Sequence, residues 1–167
     1  MTGTCFSPTS PTSTSTGASF PGRRPPGGGV AESGAARTAR LCEQRLGKED
    51  GTTVLATGNL AGSLFGLGEY RTALTLYQDM HRRRRRASGE NSLVTLHAEA
   101  NIAITLHKLG DYEEARAINA DLLPRFERAA GKDHSGTTLT RSRLVMNLRA
   151  LGRDEEADEV HGGIPRF

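Results

Sequence analysis

Apolar and polar positions alternate along most of this chain with the spacing of helices. Between Val54 and Leu67 the apolar and small residues fall three and four positions apart, which indicates one buried helical face. The same spacing returns between Tyr70 and Met80. The whole pattern then recurs with a fixed period of 42 residues, counted from Gly47 to Gly89 and on to Gly131. The sequence therefore predicts a series of helix pairs.

Small and turn residues keep the same register in every unit. The Leu-Gly pairs that should end the first helix are Leu67-Gly68, Leu109-Gly110 and Leu151-Gly152. Small residues that would let helices cross closely are Ala61, Ala103 and Val145 in the first helices, and Ala73, Ala115 and Ala157 in the second helices. A single helix pair cannot bury both of its faces, so a fixed period of this size predicts a stacked solenoid.

These marks divide the chain into a tail and a repeat domain. Ser, Thr, Pro and Gly dominate residues 1–29, which predicts a disordered low-complexity tail. Residues 30–167 should form an all-α solenoid of three helical hairpins, at 47–88, 89–130 and 131–167, preceded by a single helix at 30–46. Thr52 or Thr53 is the expected N-cap of the first hairpin. The chain is either complete or a piece of a longer array.

Composition excludes several classes of function. No apolar run approaches the roughly 18 residues that span a bilayer, and the N-terminus lacks the apolar core of a secretory signal, so a cytoplasmic protein is expected. Cys5 and Cys42 lie far apart and should be free thiols. The histidines do not fall at ligand spacing, and no catalytic grouping can be assembled. We therefore expect no metal, no cofactor and no enzymatic activity.

The unit openings and turns point to a known family. The third unit opens with Gly131-Lys132-Asp133-His134, and Asn59-Leu60-Ala61 is matched by Asn101-Ile102-Ala103. With these residues the chain resembles the tetratricopeptide repeat family, in the 42-residue variety typified by kinesin light chain. The period alone would also admit HEAT-like repeats. The Leu-Gly-acid-Tyr turn, followed by alanine three residues later, favours the tetratricopeptide repeat.

The resemblance implies a right-handed superhelix, or TPR solenoid, whose first helices line a concave groove for a partner peptide. The implied groove residues are Leu55, Asn59, Gly62, Phe65 and Gly66, then His97, Asn101, Ile104, His107 and Lys108, then Leu139, Arg143, Met146 and Arg149. Asn59 and Asn101 keep a carboxamide that can both donate to and accept from a peptide backbone. Arg143 departs from that pattern and would favour a carboxylate-bearing partner.

A run of arginines, Arg82 to Arg86 (Arg82, Arg83, Arg84, Arg85 and Arg86), forms a candidate basic patch. It could bind nucleic-acid phosphates. The favoured interpretation is that these cations interact with the dipole at the C-terminal end of a helix, because successive positions point all round the helix and no aromatic residues interleave them. Arg84 takes the place that Cys42 and Phe126 hold in other units, so the helix is expected to fray there.

The leading functional hypothesis is a non-enzymatic scaffold that binds a protein or peptide in its groove. An alternative is a TPR fragment of a larger bacterial signalling ATPase or transcription regulator, and nucleic-acid binding through the arginines is a lesser alternative. Both ends of the array lack a polar capping helix, so their apolar end faces are expected to cause either self-association or instability.

Overall fold

The computed structural model describes residues 33–162, and in that range all regular structure is helical. The helices are α1 (Gly34–Leu46), α2 (Gly51–Gly66), α3 (Tyr70–Ser88), α4 (Leu93–Leu109), α5 (Tyr112–Ala130), α6 (Ser135–Ala150) and α7 (Asp154–His161). The predicted tail at 1–29 lies outside the described residues, as do the first residues of the single helix and the last of the third hairpin. The pairs α2–α3, α4–α5 and α6–α7 are the predicted hairpins, and α1 precedes them.

Glycines set the turns on both sides of each hairpin. The first helices are followed by Gly68 (φ 82°), Gly110 (φ 91°) and Gly152 (φ 71°), and the preceding second helices by Gly47 (φ 88°), Gly89 (φ 82°) and Gly131 (φ 93°). Within residues 33–162 only glycines have positive φ. Because a Cβ is strained in this conformation, the 42-residue spacing of these glycines is a requirement of the backbone.

Each helix packs against the next along the chain, from α1 on α2 to α6 on α7, and α4 also contacts α6. The predicted crossing residues lie at these contacts. Ala61, Ala73, Ala103, Ala115 and Ala157 are each 0% exposed. Larger side chains fill the space between successive hairpins, including Tyr77, Met80 and Ile102 in one continuous core. The expected all-α solenoid is therefore confirmed.

Two local expectations were wrong. The N-cap of α2 is Asp50, whose Oδ1 accepts from the amide of Thr52 at 2.8 Å, whereas Thr53 is buried. The carboxylate satisfies an amide two residues on, so the helix begins earlier than predicted. Helix α3 also does not fray at Arg84 but continues to Ser88. Arg84 Nη1 donates to the carbonyl of Val94 at 3.0 Å, which fastens this turn to the next hairpin.

Three further observations apply only to residues 33–162. None of the helices there is both long and apolar enough to cross a membrane. His, Cys, Asp and Glu side chains in this range do not gather in a group of three or more that could hold a metal. Cys42 is a half-buried free thiol, and Cys5 lies outside the described residues.

Candidate partner-binding groove

The first helices of the hairpins, α2, α4 and α6, present exposed apolar side chains at positions implied for the groove. Leu55 is 55% exposed, Leu139 54% and Met146 48%. Asn59 is exposed and Asn101 half-buried, and neither carboxamide forms a hydrogen bond to the described residues. Lys108 is also exposed. These side chains are therefore free to contact a ligand.

Other implied groove residues contact their own hairpin. Phe65 meets Tyr70 edge to face with ring centroids 5.2 Å apart. One period later His107 meets Tyr112 at 5.0 Å. In the third unit the equivalent Arg149 instead forms an exposed ion pair with Asp158 at 3.3 Å. Positions 65, 107 and 149 therefore help to hold the two helices of each hairpin together.

Helices α4 and α6 are joined by polar contacts. His107 Nδ1 donates to Asn147 Oδ1 at 2.6 Å, and Arg143 Nη1 donates to the carbonyl of Ala100 at 3.4 Å. Asn147 is 1% exposed. These bonds fasten α6 to α4, and His107 and Arg143 both lie at this junction of the second and third hairpins.

A narrow crevice at this junction contains two polar atoms without partners. It is lined by Asn119, Arg143, Met146 and Asn147 among others. Asn119 donates to the carbonyl of Ala115 at 3.0 Å, but its Oδ1 accepts nothing, and Asn147 Nδ2 donates to nothing among the described residues. Buried polar atoms are nearly always paired, so an acceptor and a donor left open in one crevice require an explanation.

The same junction carries uncompensated positive charge. Arg143 is half-buried, burial lowers the pKa of its guanidinium, and none of the carboxylates in residues 33–162 lies within ion-pair distance of it. Partial burial also lowers the pKa of His97, and the nearby His134, Arg84 and Arg143 lower it further. The groove between α4 and α6 is therefore electropositive.

The arginine run does not form one patch, because its members separate into two sets. Arg83, whose side chain is 13% exposed, pairs with Asp79 and donates to the carbonyl of Lys48 at 2.7 Å. Arg84 contacts the next hairpin, as described above. Arg82 and Arg85, with side chains 68% and 58% exposed, point outward. The run thus encircles the helix, as its spacing predicted.

Sequence reasoning missed several polar residues. Arg125, Arg141, Asn119 and Asn147 are buried but were not predicted to be so. For Asn119 a signal was present, because it stands one period after Tyr77, which belongs to the apolar stripe of α3. The sequence gives no such signal for Arg125, Arg141 and Asn147, since a polar residue on a helix is expected to be exposed to solvent.

Comparisons with known proteins agree with this architecture. A family model described as "Tetratricopeptide repeat" matches residues 52–127 and 98–161. Among solved structures, the crystal structure of BtubC (BKLC) from P. vanneervenii is similar, with a TM-score of 0.64 and 16% sequence identity. The match covers 77% of this chain and 56% of that one. No curated protein matched. The chain therefore belongs to the tetratricopeptide repeat family, whose repeats generally build scaffolds for protein interaction.

Proposed function

We propose that the concave groove binds an extended, carboxylate-bearing segment of a partner protein, and that Arg143 pairs with the carboxylate. The observation that carries this proposal is the half-buried guanidinium of Arg143 without an anionic partner among the described residues. A desolvated cation is costly unless it is paired. A carboxylate from a ligand would supply that pair, with the planar geometry that arginine favours.

The surroundings of Arg143 support an anionic ligand. His97 is close enough to Arg143 for their charges to interact, and its other charged neighbours, His134 and Arg84, are also basic. Such a region attracts anions and repels cations. Lys108, exposed on the same helix as His97, adds to the positive charge of this face.

The remaining groove residues fit the backbone and side chains of a peptide. Leu55, Leu139 and Met146 offer exposed apolar contacts. The free carboxamides of Asn59 and Asn101 can each donate and accept along an extended backbone.

The test begins with a phage library of random peptides selected on the full chain. We expect selected peptides to be enriched in Asp and Glu. Synthetic versions should bind Arg143→Met at least about tenfold more weakly in calorimetric titration, which is about 1.4 kcal/mol and within the range of a charged hydrogen bond. Asn59→Ala with Asn101→Ala should also weaken binding.

Two matched variants locate the binding site. Lys132→Met removes one exposed positive charge outside the implied groove and should leave the affinity unchanged. Arg86→Gln, on the outward surface of α3, should do the same. If the selected peptides lack acidic residues, or if Arg143→Met binds them as tightly as the parent, the proposal is wrong.

A further inference from the structure

Three outward arginines share one face of α3, separate from the groove. Arg82, Arg85 and Arg86 stand at positions i, i+3 and i+4, which are neighbours on a helix surface. Arg82 and Arg85 have side chains 68% and 58% exposed, and Arg86 is exposed as well. We call these three residues the arginine face.

The arginine face is only partly neutralised. Asp79 lies 3.1 Å from Arg82 but also pairs with Arg83, and Glu90 lies 3.4 Å from Arg85. Arg86 has no partner among residues 33–162. Two shallow depressions, of about 440 and 360 Å³, both border Arg82. The surface therefore has spare positive charge and room for an approaching chain.

The chain itself carries a surface of opposite charge at matching spacing. Glu155, Asp158 and Glu159 also stand at i, i+3 and i+4, on helix α7, and all are exposed. Asp158 shares its charge with Arg149 at 3.3 Å, whereas Glu155 and Glu159 have no partner in the described part of the chain. We call these three residues the acidic face.

We propose that the arginine face of one copy docks on the acidic face of α7 of a second copy. Three helices, α4, α5 and α6, lie between α3 and α7 in the order of packing, so the two faces are presented at different places along the stack. The pairing joins two different surfaces, so each copy can bind through both faces, either reciprocally in a two-fold dimer or successively along a chain. Because the charges are exposed, the association is weak and sensitive to salt.

Sedimentation velocity of the full chain over a range of concentrations tests this pairing. In about 20 mM salt we expect a concentration-dependent rise in the weight-average sedimentation coefficient, which disappears at about 500 mM because the Debye length falls severalfold. Charge reversal of either face, by Arg82→Glu/Arg85→Glu/Arg86→Glu or by Glu155→Lys/Asp158→Lys/Glu159→Lys, should abolish the rise. Unchanged helical circular dichroism will show that each variant is folded.

Mixing the two reversed variants separates specific pairing from an effect of net charge. In an equimolar mixture the native arginine face of one variant meets the native acidic face of the other, so association should return. A control with three exposed cations reversed elsewhere, Arg37→Glu/Arg45→Glu/Lys132→Glu, should still self-associate. A chain that stays monomeric at low salt, or a mixture that stays monomeric, would falsify the proposal.

Nucleic acid is the competing occupant of the arginine face. No aromatic side chain lines the depression bordered by Arg82, Arg85 and Arg86, and His81 is the one aromatic residue that lines the other depression. If a fluorescent oligonucleotide binds the parent but not the arginine-reversed variant, and the parent does not self-associate, the proposal is overturned in favour of phosphate binding. Arg143→Met leaves both faces intact, so this result is independent of the groove.

Discussion

Arg125 and Arg143 lie on neighbouring helices, are both shielded from solvent, and have opposite surroundings. Arg125 is 8% exposed and contacts Glu99 at 3.0 Å and Asp121 at 2.7 Å. It also donates to Asn91 Oδ1 at 3.0 Å and to the carbonyl of Glu90 at 2.8 Å. Arg143 has one long bond to a carbonyl and no carboxylate within the described residues. The fold supplies Arg125 with four hydrogen bonds and two carboxylates, and it supplies Arg143 with a single carbonyl.

The difference distinguishes an arginine that stabilises the fold, Arg125, from one that is a candidate for binding a ligand, Arg143. Arg125 bonds α5 to α4 and to the turn before α4. The packing of these segments therefore positions both the guanidinium and its partners. Arg141, on the same helix as Arg143, also has its carboxylate, Glu127 at 2.8 Å. The fold thus supplies counter-ions to two buried arginines and supplies none to Arg143 among the described residues.

The largest effect should follow from removing the satisfied arginine. Arg125→Met leaves Glu99 partly buried without its cation and frees the turn at Asn91. We expect the free energy of unfolding to fall by about 2 to 3 kcal/mol, below the full range for a buried pair because Asp121 is exposed to solvent. Urea denaturation followed by circular dichroism measures this. A loss of unfolding free energy below about 0.5 kcal/mol would show that Arg125 does not stabilise the fold.

A smaller effect is expected at the second structural pair. Glu127→Ala leaves Arg141, which is 6% exposed, without its carboxylate. The expected loss is about 1 to 2 kcal/mol in the same denaturation experiment. Glu159→Ala, an exposed carboxylate on α7, is the matched control and should change stability by less than about 0.5 kcal/mol. Equal losses in both variants would contradict a role for the buried pair.

The smallest change in stability is expected at Arg143. Replacing a half-buried, unpaired cation by Met removes a desolvation cost, so the free energy of unfolding should change by less than about 0.5 kcal/mol or rise. A loss above about 1 kcal/mol would show that the guanidinium is structural and would end the contrast with Arg125.

The same variant should change the titration of His97. Arg143 is one of the cations that lower the pKa of His97, so Arg143→Met should raise that pKa towards the ordinary value, measured by NMR. Arg149→Met, on the same helix but not among those cations, should leave it unchanged. If both variants give the parent pKa, Arg143 and His97 do not interact.

The dependence of stability on pH tests the direction of the pKa shifts of His81 and His97. Burial lowers the pKa of both His81 and His97 in the folded state, whereas both titrate near 6.5 when unfolded. The unfolded chain therefore binds more protons just below pH 6.5. The free energy of unfolding should be highest above about pH 6.5 and fall as the pH drops towards 5. A rise on acidification would contradict both shifts.

Much of the fold could be predicted because its signals are local and repeated. A glycine is required at each positive-φ turn, and a small residue, alanine or Val145, stands at each close helix crossing, so their 42-residue register marks both turns and contacts. The fraying expected at Arg84 was wrong because the guanidinium found a carbonyl on the next hairpin. Val94 lies on the next helix, and its carbonyl comes close to the guanidinium of Arg84 only when the chain has folded.

Less of the candidate site than of the fold could be predicted from the sequence. The resemblance to the tetratricopeptide repeat family implied Asn59, Asn101 and Arg143 as groove residues, and these assignments remain predictions. It did not show that Asn147 would be buried against His107, or that its amide would lack a partner. Such facts depend on how α4, α5 and α6 approach one another, which no single helix encodes.

By itself, the sequence determined the helices, their turns and their order of stacking, because backbone conformation and helical periodicity depend on near neighbours. Only the tertiary structure decided which charges were satisfied. Arg125 and Arg141 each pair with a carboxylate on a neighbouring helix, whereas Arg143 reaches only the carbonyl of Ala100, since pairing of charges depends on distances between helices. That distinction, rather than the number of arginines, identifies the part of the groove proposed to bind a partner.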